Sequence, residues 1–459
     1  MSIRSVGAVG IFSILLFSCI SYYAKYEKFN TRFEQGDLEG ADAVLATDKK
    51  GPTSKSHLLY YLNRGVVNSY MGNYEASNDF FEQAYNISEV QAVNAVDLSL
   101  SFLLNPKVIE YRGETFEVLM VNYYKALNYL KMGKYEEALV ECKRMNIRLN
   151  KLSDKFSADS KYKKDAFIHL LMGVIYDING DYNNAFIAYR NALEIYESDY
   201  VTKFNTPVPE QLKKDILRTT YLVGFMDDLR FYEEKFKMKY QHVSKSKGRG
   251  EALILWHNGL GPVKKEWSID FAIIEVGGGY LNFVNLNLGI VIPVYIGNDH
   301  KQSAQIKDLQ IIRMALPQFV ERPALYSSAS VTTADDVDHT LDMVENINAI
   351  AFKSLDDRFL RDLGKALLRL ALKKVAEMEL RKQSQEAGLA LGIFNAISEQ
   401  ADTRNWQTLP HDIQYARFSL SSGEQVLQFN RKGSNGISST PIKVNIKEGS
   451  TFIHTVSGL

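Results

Sequence analysis

Two short motifs in the chain combine residue types that could attack an acyl group. Ser160 with Lys163, and Ser244 with Lys247, fit the pattern Ser-x-x-Lys, in which a lysine amine activates a serine hydroxyl. A penicillin-recognising site also needs elements similar to Ser-Asp-Asn and Lys-Thr-Gly, and the sequence contains neither. Both motifs occur in polar connecting segments. We therefore interpret them as connectors and predict neither a catalytic residue nor a cofactor.

The histidine, acidic and glycine residues also have structural interpretations. The eight histidines are scattered and form no His-Glu-x-x-His motif, so we predict no metal site. The run Asp335-Asp336-Val337-Asp338-His339 could hold a cation, but negative charge at the start of a helix explains it more simply. Gly277–Gly279 could cradle a phosphate, but a β-rich segment follows instead of a helix, which favours a turn.

Cys19 has the clearest chemical prediction in the sequence. Arg4 precedes an apolar run, Val6–Phe17, that is too short to span a bilayer core of ~30 Å as a helix. The run ends in Leu16-Phe17-Ser18-Cys19, which resembles the lipobox of bacterial lipoproteins. The resemblance implies that Cys19 is acylated, and Ile20 in place of an aspartate favours the outer membrane. The alternatives are an uncleaved anchor or an ordinary signal peptide.

Several other residues could bind a partner, but each has a simpler explanation. Cys142 lies in a helical pattern, where a buried small side chain is expected. Trp406, close to Asp402 and Arg404, could form a recognition corner, although a structural corner is the more usual role. The long helix predicted below has a basic stripe, which could bind an anionic lipid surface or an acidic partner. A solvent-exposed helix face would also explain this stripe. It consists of Arg358, Arg361, Lys365, Arg369 and Lys373.

Composition places the chain among globular proteins and divides it into two halves. The 54 basic and 54 acidic residues cancel, so the chain lacks the basic field of a protein that coats duplex nucleic acid. Of the 26 tyrosines, 22 precede residue 250, whereas 17 of the 29 glycines follow residue 247. The polar segment 244–250 is a natural linker. We predict a signal peptide at 1–18, a helical domain at 19–243 and a second domain at 251–459.

The helical domain repeats a pattern of glycine, a bulky residue two positions later and then a small residue. Gly36, Gly72, Gly133 and Gly180 each begin such a unit. In the best unit, Gly173 allows two helices to approach, and aromatic residues fill the space beside them. The units resemble tetratricopeptide repeats, which are helix–turn–helix elements of ~34 residues; generic helical hairpins are the alternative.

The resemblance to tetratricopeptide repeats implies a solenoid whose concave face is formed by the first helix of each repeat. We expect that face to be the main partner surface. Its packing residues should tolerate little change, whereas polar residues such as Asn122, Lys125 and Asn128 are better candidates for recognition.

The second half is predicted to be an α+β domain. Short β-rich runs occupy residues 251–258, 268–276, 280–288, 289–297 and 324–333. A helix starting near Asp335, a long helix at Ser354–Gln383 and a shorter one at Gly388–Gln400 follow. The tail, Ile413–Val456, has the pattern of antiparallel strands. The overall prediction is therefore an all-α repeat region followed by an α+β domain with short antiparallel strands and one long helix.

Several segments resemble an uncharacterised family of bacterial tetratricopeptide-repeat envelope lipoproteins. They are WHNGLGPVKK, FKSLDDRFLRDLGKALLR and EQADTRNWQTLP in the second half, with YRGETFE and NYYKALNYL in the first. The resemblance implies a non-enzymatic scaffold in envelope biogenesis that binds a protein or peptide, with a weaker link to peptidoglycan synthesis. The alternative is a cell-wall or glycan hydrolase, or a ligand-binding protein, with its site in residues 251–459. The periplasmic and the surface-exposed faces of the membrane both stay open.

Overall fold

The fold was determined from a computed structural model, which describes residues 22–93, 109–155, 165–242, 248–296, 306, 310–385 and 401–459. Its first half is helical, as predicted. The helices are α1 (Tyr22–Lys25), α2 (Glu27–Glu34), α3 (Leu38–Ala46), α4 (His57–Tyr70), α5 (Tyr74–Val93), α6 (Thr115–Lys131), α7 (Tyr135–Lys155), α8 (Ala166–Ile178), α9 (Tyr182–Ile195), α10 (Val201–Lys203), α11 (Glu210–Val223) and α12 (Met226–Phe236). A π-helical segment, Tyr196–Tyr200, joins α9 to α10. Within these ranges and those of the second half, we find no helix with the length and apolarity needed to cross a bilayer.

Three helical hairpins, α4–α5, α6–α7 and α8–α9, follow the predicted repeat units. Gly72, Gly133 and Gly180 lie in the turns with φ of 83°, 71° and 78°, a conformation that glycine adopts without the penalty of a side chain. Inside the third hairpin, a Cβ atom on Gly173 would lie 2.3 Å from the Tyr189 ring. The small residue is therefore required for the approach of α8 and α9, as the sequence predicts. Two further helices, α11 and α12, follow Pro209.

The described residues of the second half form three sheets of four strands each. The strands are β1 (Arg249–Asn258), β2 (Val263–Gly277), β3 (Tyr280–Asn285), β4 (Ile290–Tyr295), β5 (Ile311–Val320), β6 (Tyr326–Thr332), β7 (Asp338–Thr340), β8 (Asp342–Glu345), β9 (Asp412–Ser421), β10 (Gly423–Gly433), β11 (Gly436–Ile446) and β12 (Thr451–Ser457). Their orders are β12-β1-β9-β8, β11-β10-β6-β7 and β4-β3-β2-β5. The fold class is the predicted one, a repeat region followed by α+β structure.

Two details of the second half correct the sequence prediction. Asp335 and Asp336 do not begin a helix: Asp336 has a φ of 60° in the turn before β7, and the carboxylate of Asp335 accepts a hydrogen bond from Thr333 at 2.5 Å. The long helix α13 spans Ile347–Gln383 and starts instead at the Asn346 cap. The last strand is parallel to β1, with Leu253 opposite Ile453, so the tail is not entirely antiparallel.

Several predicted features lie outside the described residues. These are the signal peptide with Cys19, both Ser-x-x-Lys motifs, the helix at 388–400 and most of the predicted linker. The end of that linker, Arg249–Gly250, already belongs to β1. The division into two domains stays a prediction.

The residues that the structure describes form three hydrophobic cores, and the largest one joins the two halves. The β12-β1-β9-β8 sheet packs one face against β11-β10-β6-β7 and the other against the repeat helices. Leu253, Leu255, Ile413 and Tyr415 point toward the repeats and belong to the same buried cluster as Tyr123. A separate core lies between α13 and the β4-β3-β2-β5 sheet. Strand β1 therefore carries five consecutive apolar residues, 252–256, because both of its faces are buried there.

Candidate functional site

The predicted partner surface of the repeats is covered by the second half of the chain. The segment between residue 401 and β9 runs along the first helices of the repeats, and Trp406 is buried between them. Its ring centroid lies 5.9 Å from Tyr124 in α6 and 6.1 Å from Phe81 in α5. The indole N–H donates to Thr408 Oγ1 at 2.8 Å, and Thr408 in turn donates to Asn63 of α4 at 3.1 Å. Trp406 thus anchors this segment against the repeats.

A buried carboxylate, that of Glu117, fixes the backbone of this segment. Its Oε1 accepts the Trp406 N–H at 2.7 Å, and its Oε2 accepts Tyr111 O–H at 2.5 Å and the Glu114 N–H at 2.8 Å. Burial, and secondly the charge of Glu114, raise the pKa of Glu117, while Lys264 of β2 opposes that shift. Lys264 itself pairs with Glu114, so the two halves share this group of charges.

Arg404 connects the same segment to loops of the repeat region. Its guanidinium donates to the Lys55 carbonyl at 2.9 Å and to the Ile109 carbonyl at 3.1 Å, and pairs with Asp402 at 2.7 Å. The side chain also lies over the Tyr111 ring, 5.3 Å from its centroid. Arg404 therefore ties the segment to two backbone carbonyls of the repeat region, and the Lys55 carbonyl also accepts the Tyr111 N–H at 2.8 Å.

His257 of β1 is buried between two tyrosines of the repeats. Its Nδ1 lies 2.9 Å from Tyr70 O–H in α4, and its Nε2 lies 2.7 Å from Tyr123 O–H in α6. A neutral imidazole has one N–H donor and one acceptor nitrogen, so one tyrosine accepts while the other donates. Burial, and secondly the charge of Lys131, lower the pKa of His257 to about 3. The imidazole is therefore neutral at pH 7 and holds β1 against two repeats.

A buried group of charges joins the third repeat to the sheet. Arg417 of β9 contacts Asp177 of α8 at 2.5 Å, Asp215 of α11 at 3.4 Å and Glu251 of β1 at 2.6 Å. Burial raises the pKa of Asp177, but Arg417 and Arg218 outweigh it and the net pKa is lowered. The ionised aspartate thus depends on an arginine from the other half of the chain.

The polar residues proposed for recognition do not face a partner. Asn122 donates to Glu141 at 2.7 Å, and Lys125 pairs with Glu141 at 2.9 Å and with Glu82. Asn128 bonds Ser77 and Asn78 at 2.9 and 2.8 Å and accepts from Ser69 at 2.6 Å. All three are buried, so they connect neighbouring helices within the repeats. The prediction was wrong because a polar residue on a repeat helix can face a neighbouring helix as well as the groove.

The remaining candidate residues have the following positions. Cys142 is buried in α7, as expected, and burial raises the pKa of its thiol. On α13, Lys365 is exposed, whereas Arg369 and Lys373 are half-buried and have partners. The side chains of Arg358 and Arg361 lie outside the described residues. Among the residues described, no three His, Cys, Asp or Glu side chains are grouped as metal ligands.

The comparisons agree with the repeat part of this description. A family profile of the tetratricopeptide repeat matches residues 168–199, which include the predicted best unit and all but the first two residues of hairpin α8–α9. A comparison with curated protein sequences finds no match.

Solved structures that resemble part of the chain include those of RapI, MamA and a putative kinesin light chain. The apo form of RapI is 17% identical, with a TM-score of 0.34, and the alignment covers 47% of this chain and 52% of RapI. MamA is 14% identical, with a TM-score of 0.29 and coverage of 48% and 95%. A putative kinesin light chain of Podosopora anserina is 13% identical, with a TM-score of 0.30 and coverage of 47% and 92%. The chain spans about half the length of RapI. It contains a tetratricopeptide repeat within a larger structure.

Proposed function

We propose that the protein is a protein-interaction scaffold of a bacterial envelope, held at the outer membrane by an acylated Cys19. The scaffold proposal is supported by one structural observation: the groove formed by the first helices of the repeats is occupied by the second half of the chain. The repeats hold the second half of their own chain, so partner binding falls to surfaces outside the groove. The anchor is supported by the sequence Leu16-Phe17-Ser18-Cys19 and by the resemblance to envelope lipoproteins.

The outer surface of the repeats offers places for a protein partner. Val140 and Ile147, seven residues apart on α7, are both about half exposed, and Phe231 on α12 is more exposed still. Exposed apolar side chains of this kind, surrounded by polar residues, are common at protein interfaces. We therefore assign partner binding to the outer helices rather than to the groove.

A site-specific photo-crosslinking experiment tests this proposal in intact cells. A photoreactive amino acid replaces Ile147, and a second chain carries it at Ile437, an exposed apolar position on β11 in the other half. We expect discrete crosslinks to envelope proteins from position 147 and not from position 437. Crosslinks only from position 437 would move the partner surface to the second half.

The membrane anchor has its own test. Metabolic labelling with a fatty-acid analogue should label the wild-type protein and not Cys19→Ser, and the variant should leave the outer-membrane fraction. Labelling that is equal in both proteins, or absent from both, would remove the anchor from the proposal without affecting the crosslinking result.

A further inference from the structure

The β4-β3-β2-β5 sheet has an apolar outer face. Its inner face packs on α13 through residues such as Phe271, Phe283 and Ile292. At outward positions of the four strands, six large apolar side chains are exposed: Ile274, Val276, Tyr280, Val291, Tyr295 and Ile311. Together with the exposed Leu286 and Leu288 of the adjoining turn between β3 and β4, we refer to them as the outer apolar face.

The strand register shows that this face is continuous. Ile311, Ala272, Val284 and Val291 lie opposite one another in a single row across all four strands. Where Asp270 faces Arg313, the apolar surface ends. From Ala272 to the tip of the β2–β3 hairpin, the outward positions of β2, β3 and β4 carry no charge. Strands that are apolar on both faces are typical of a sheet that is covered on both sides.

The fold itself does not require such a face, as another sheet of the same molecule shows. The β11-β10-β6-β7 sheet also has a buried inner face, formed by residues such as Leu427 and Phe429. Its outward positions include Gln428, Ser439 and Lys443, which are exposed and polar. That sheet has the alternating pattern of a solvated face, so the apolar pattern on β2, β3 and β4 is a specific property of this one.

Two features favour lipid over a protein strand or sheet as the occupant. Pro293 and Pro317 lie in the two edge strands and remove N–H donors there, which disfavours the addition of another strand. The turn between β3 and β4 carries Leu286, which is 87% exposed, and Leu288, which is 52% exposed. Leucines that project from a turn are difficult for a flat protein surface to cover, whereas fluid acyl chains adapt to them.

The aromatic residues of the face agree with a lipid contact. Tyr280 and Tyr295 are paired across β3 and β4, with ring centroids 5.0 Å apart. Tyrosine has an apolar ring and a polar hydroxyl, and it is enriched where hydrocarbon meets the headgroups.

We propose that the outer apolar face binds a lipid bilayer at its interfacial region, with Leu286 and Leu288 inserted among the acyl chains. This proposal rests on the proposed function in one respect, the presence of a membrane near the protein. The affinity of the face for lipid does not depend on acylation of Cys19. The contact would give the tethered protein a second, reversible attachment and would fix its orientation.

Vesicle binding by the mature chain tests the proposal. Residues 19–459 with Cys19→Ser carry neither the signal peptide nor a lipid, and they are mixed with phosphatidylcholine vesicles with or without phosphatidylglycerol. We expect co-sedimentation that changes little with salt, because the contact is apolar. Leu286→Asp should lower the partition coefficient at least ~10-fold, since removing one leucine from an apolar phase has about that effect. Ile437→Asp, at a 72% exposed position outside the face, is the matched control and should bind normally.

Three results would overturn the proposal. The first is no vesicle binding by the Cys19→Ser chain, and the second is equal binding by Leu286→Asp with a wild-type circular dichroism spectrum. The third is a dimer that Leu286→Asp dissociates, without vesicle binding, which would identify a second copy of the chain as the occupant. Because acylation is measured separately on the wild-type protein, failure of the anchor and failure of this face can be distinguished.

Discussion

The stability of the protein should depend on pH through His257. The pKa of this buried imidazole is about 3 in the folded protein, against 6.5 when it is solvated. Because folding lowers the pKa of this base, the unfolded chain binds a proton that the folded chain does not. The contribution of the neutral imidazole to the free energy of unfolding is therefore complete above pH 6.5 and is lost as the pH falls. The slope is about 1.4 kcal/mol for each pH unit. Between pH 6.5 and 4.5, His257 alone should remove about 2 kcal/mol from the free energy of unfolding, because the unfolded imidazole is already half protonated at pH 6.5.

The control for this prediction is His257→Gln. Glutamine has a donor and an acceptor for Tyr70 and Tyr123 but does not titrate. Urea unfolding of both proteins at several pH values gives the free energy of unfolding, and the difference between the two slopes isolates His257. Other groups, such as His454, whose pKa burial also lowers, remain in both proteins and cancel. The same pH dependence in both proteins would refute the assignment of a buried neutral imidazole.

Three further changes follow from the same contacts. Gly173→Val should lower the free energy of unfolding by ~1–3 kcal/mol, measured by urea denaturation, because the added side chain overlaps the facing tyrosine ring; wild-type stability would contradict the packing. Arg417→Met should cost ~3–5 kcal/mol by leaving Asp177 with a poorly compensated charge, and a loss below ~1 kcal/mol would contradict the buried ion pair. Burial lowers the pKa of His411, but hydrogen bonds to Asp412 and Glu321 outweigh it and raise the net pKa. The contribution of His411 to the stability of the fold is therefore complete below pH 6.5 and is lost as the pH rises. Thermal unfolding of His411→Asn and wild type at pH 6 and 8 should show a larger loss of stability in the variant at pH 6. An equal loss at both pH values would contradict the raised pKa.

The repeat hairpins could be predicted from the sequence because their signal is local. Gly173 and the aromatic residues that fill the space beside it lie within one unit, and the turn glycines recur in phase with them. The long helix α13 was also predicted, apart from its start, because its apolar residues recur at three- and four-residue steps over many turns.

The contact between the halves could not be predicted in this way. Trp406 and Glu117 are separated by 289 residues and His257 and Tyr123 by 134, so no local pattern connects them. The residues from Thr403 to Thr408 look like a polar loop in the sequence, yet all of them are buried, because partners on the repeats and, for Asn405, next to β2 satisfy their polar groups. The one local signal was Trp406 itself, a large apolar residue inside that polar segment.

The central claim, that the repeats hold the second half of their own chain, has a direct test. A recognition sequence for a specific protease is inserted between Ser244 and Lys247, and the native protein is cleaved and passed through a size-exclusion column. The shared hydrophobic core and the Arg417–Asp177 and Lys264–Glu114 pairs should keep the two fragments together in one peak that dissociates only in denaturant. Two folded fragments that elute separately in native buffer would contradict the account.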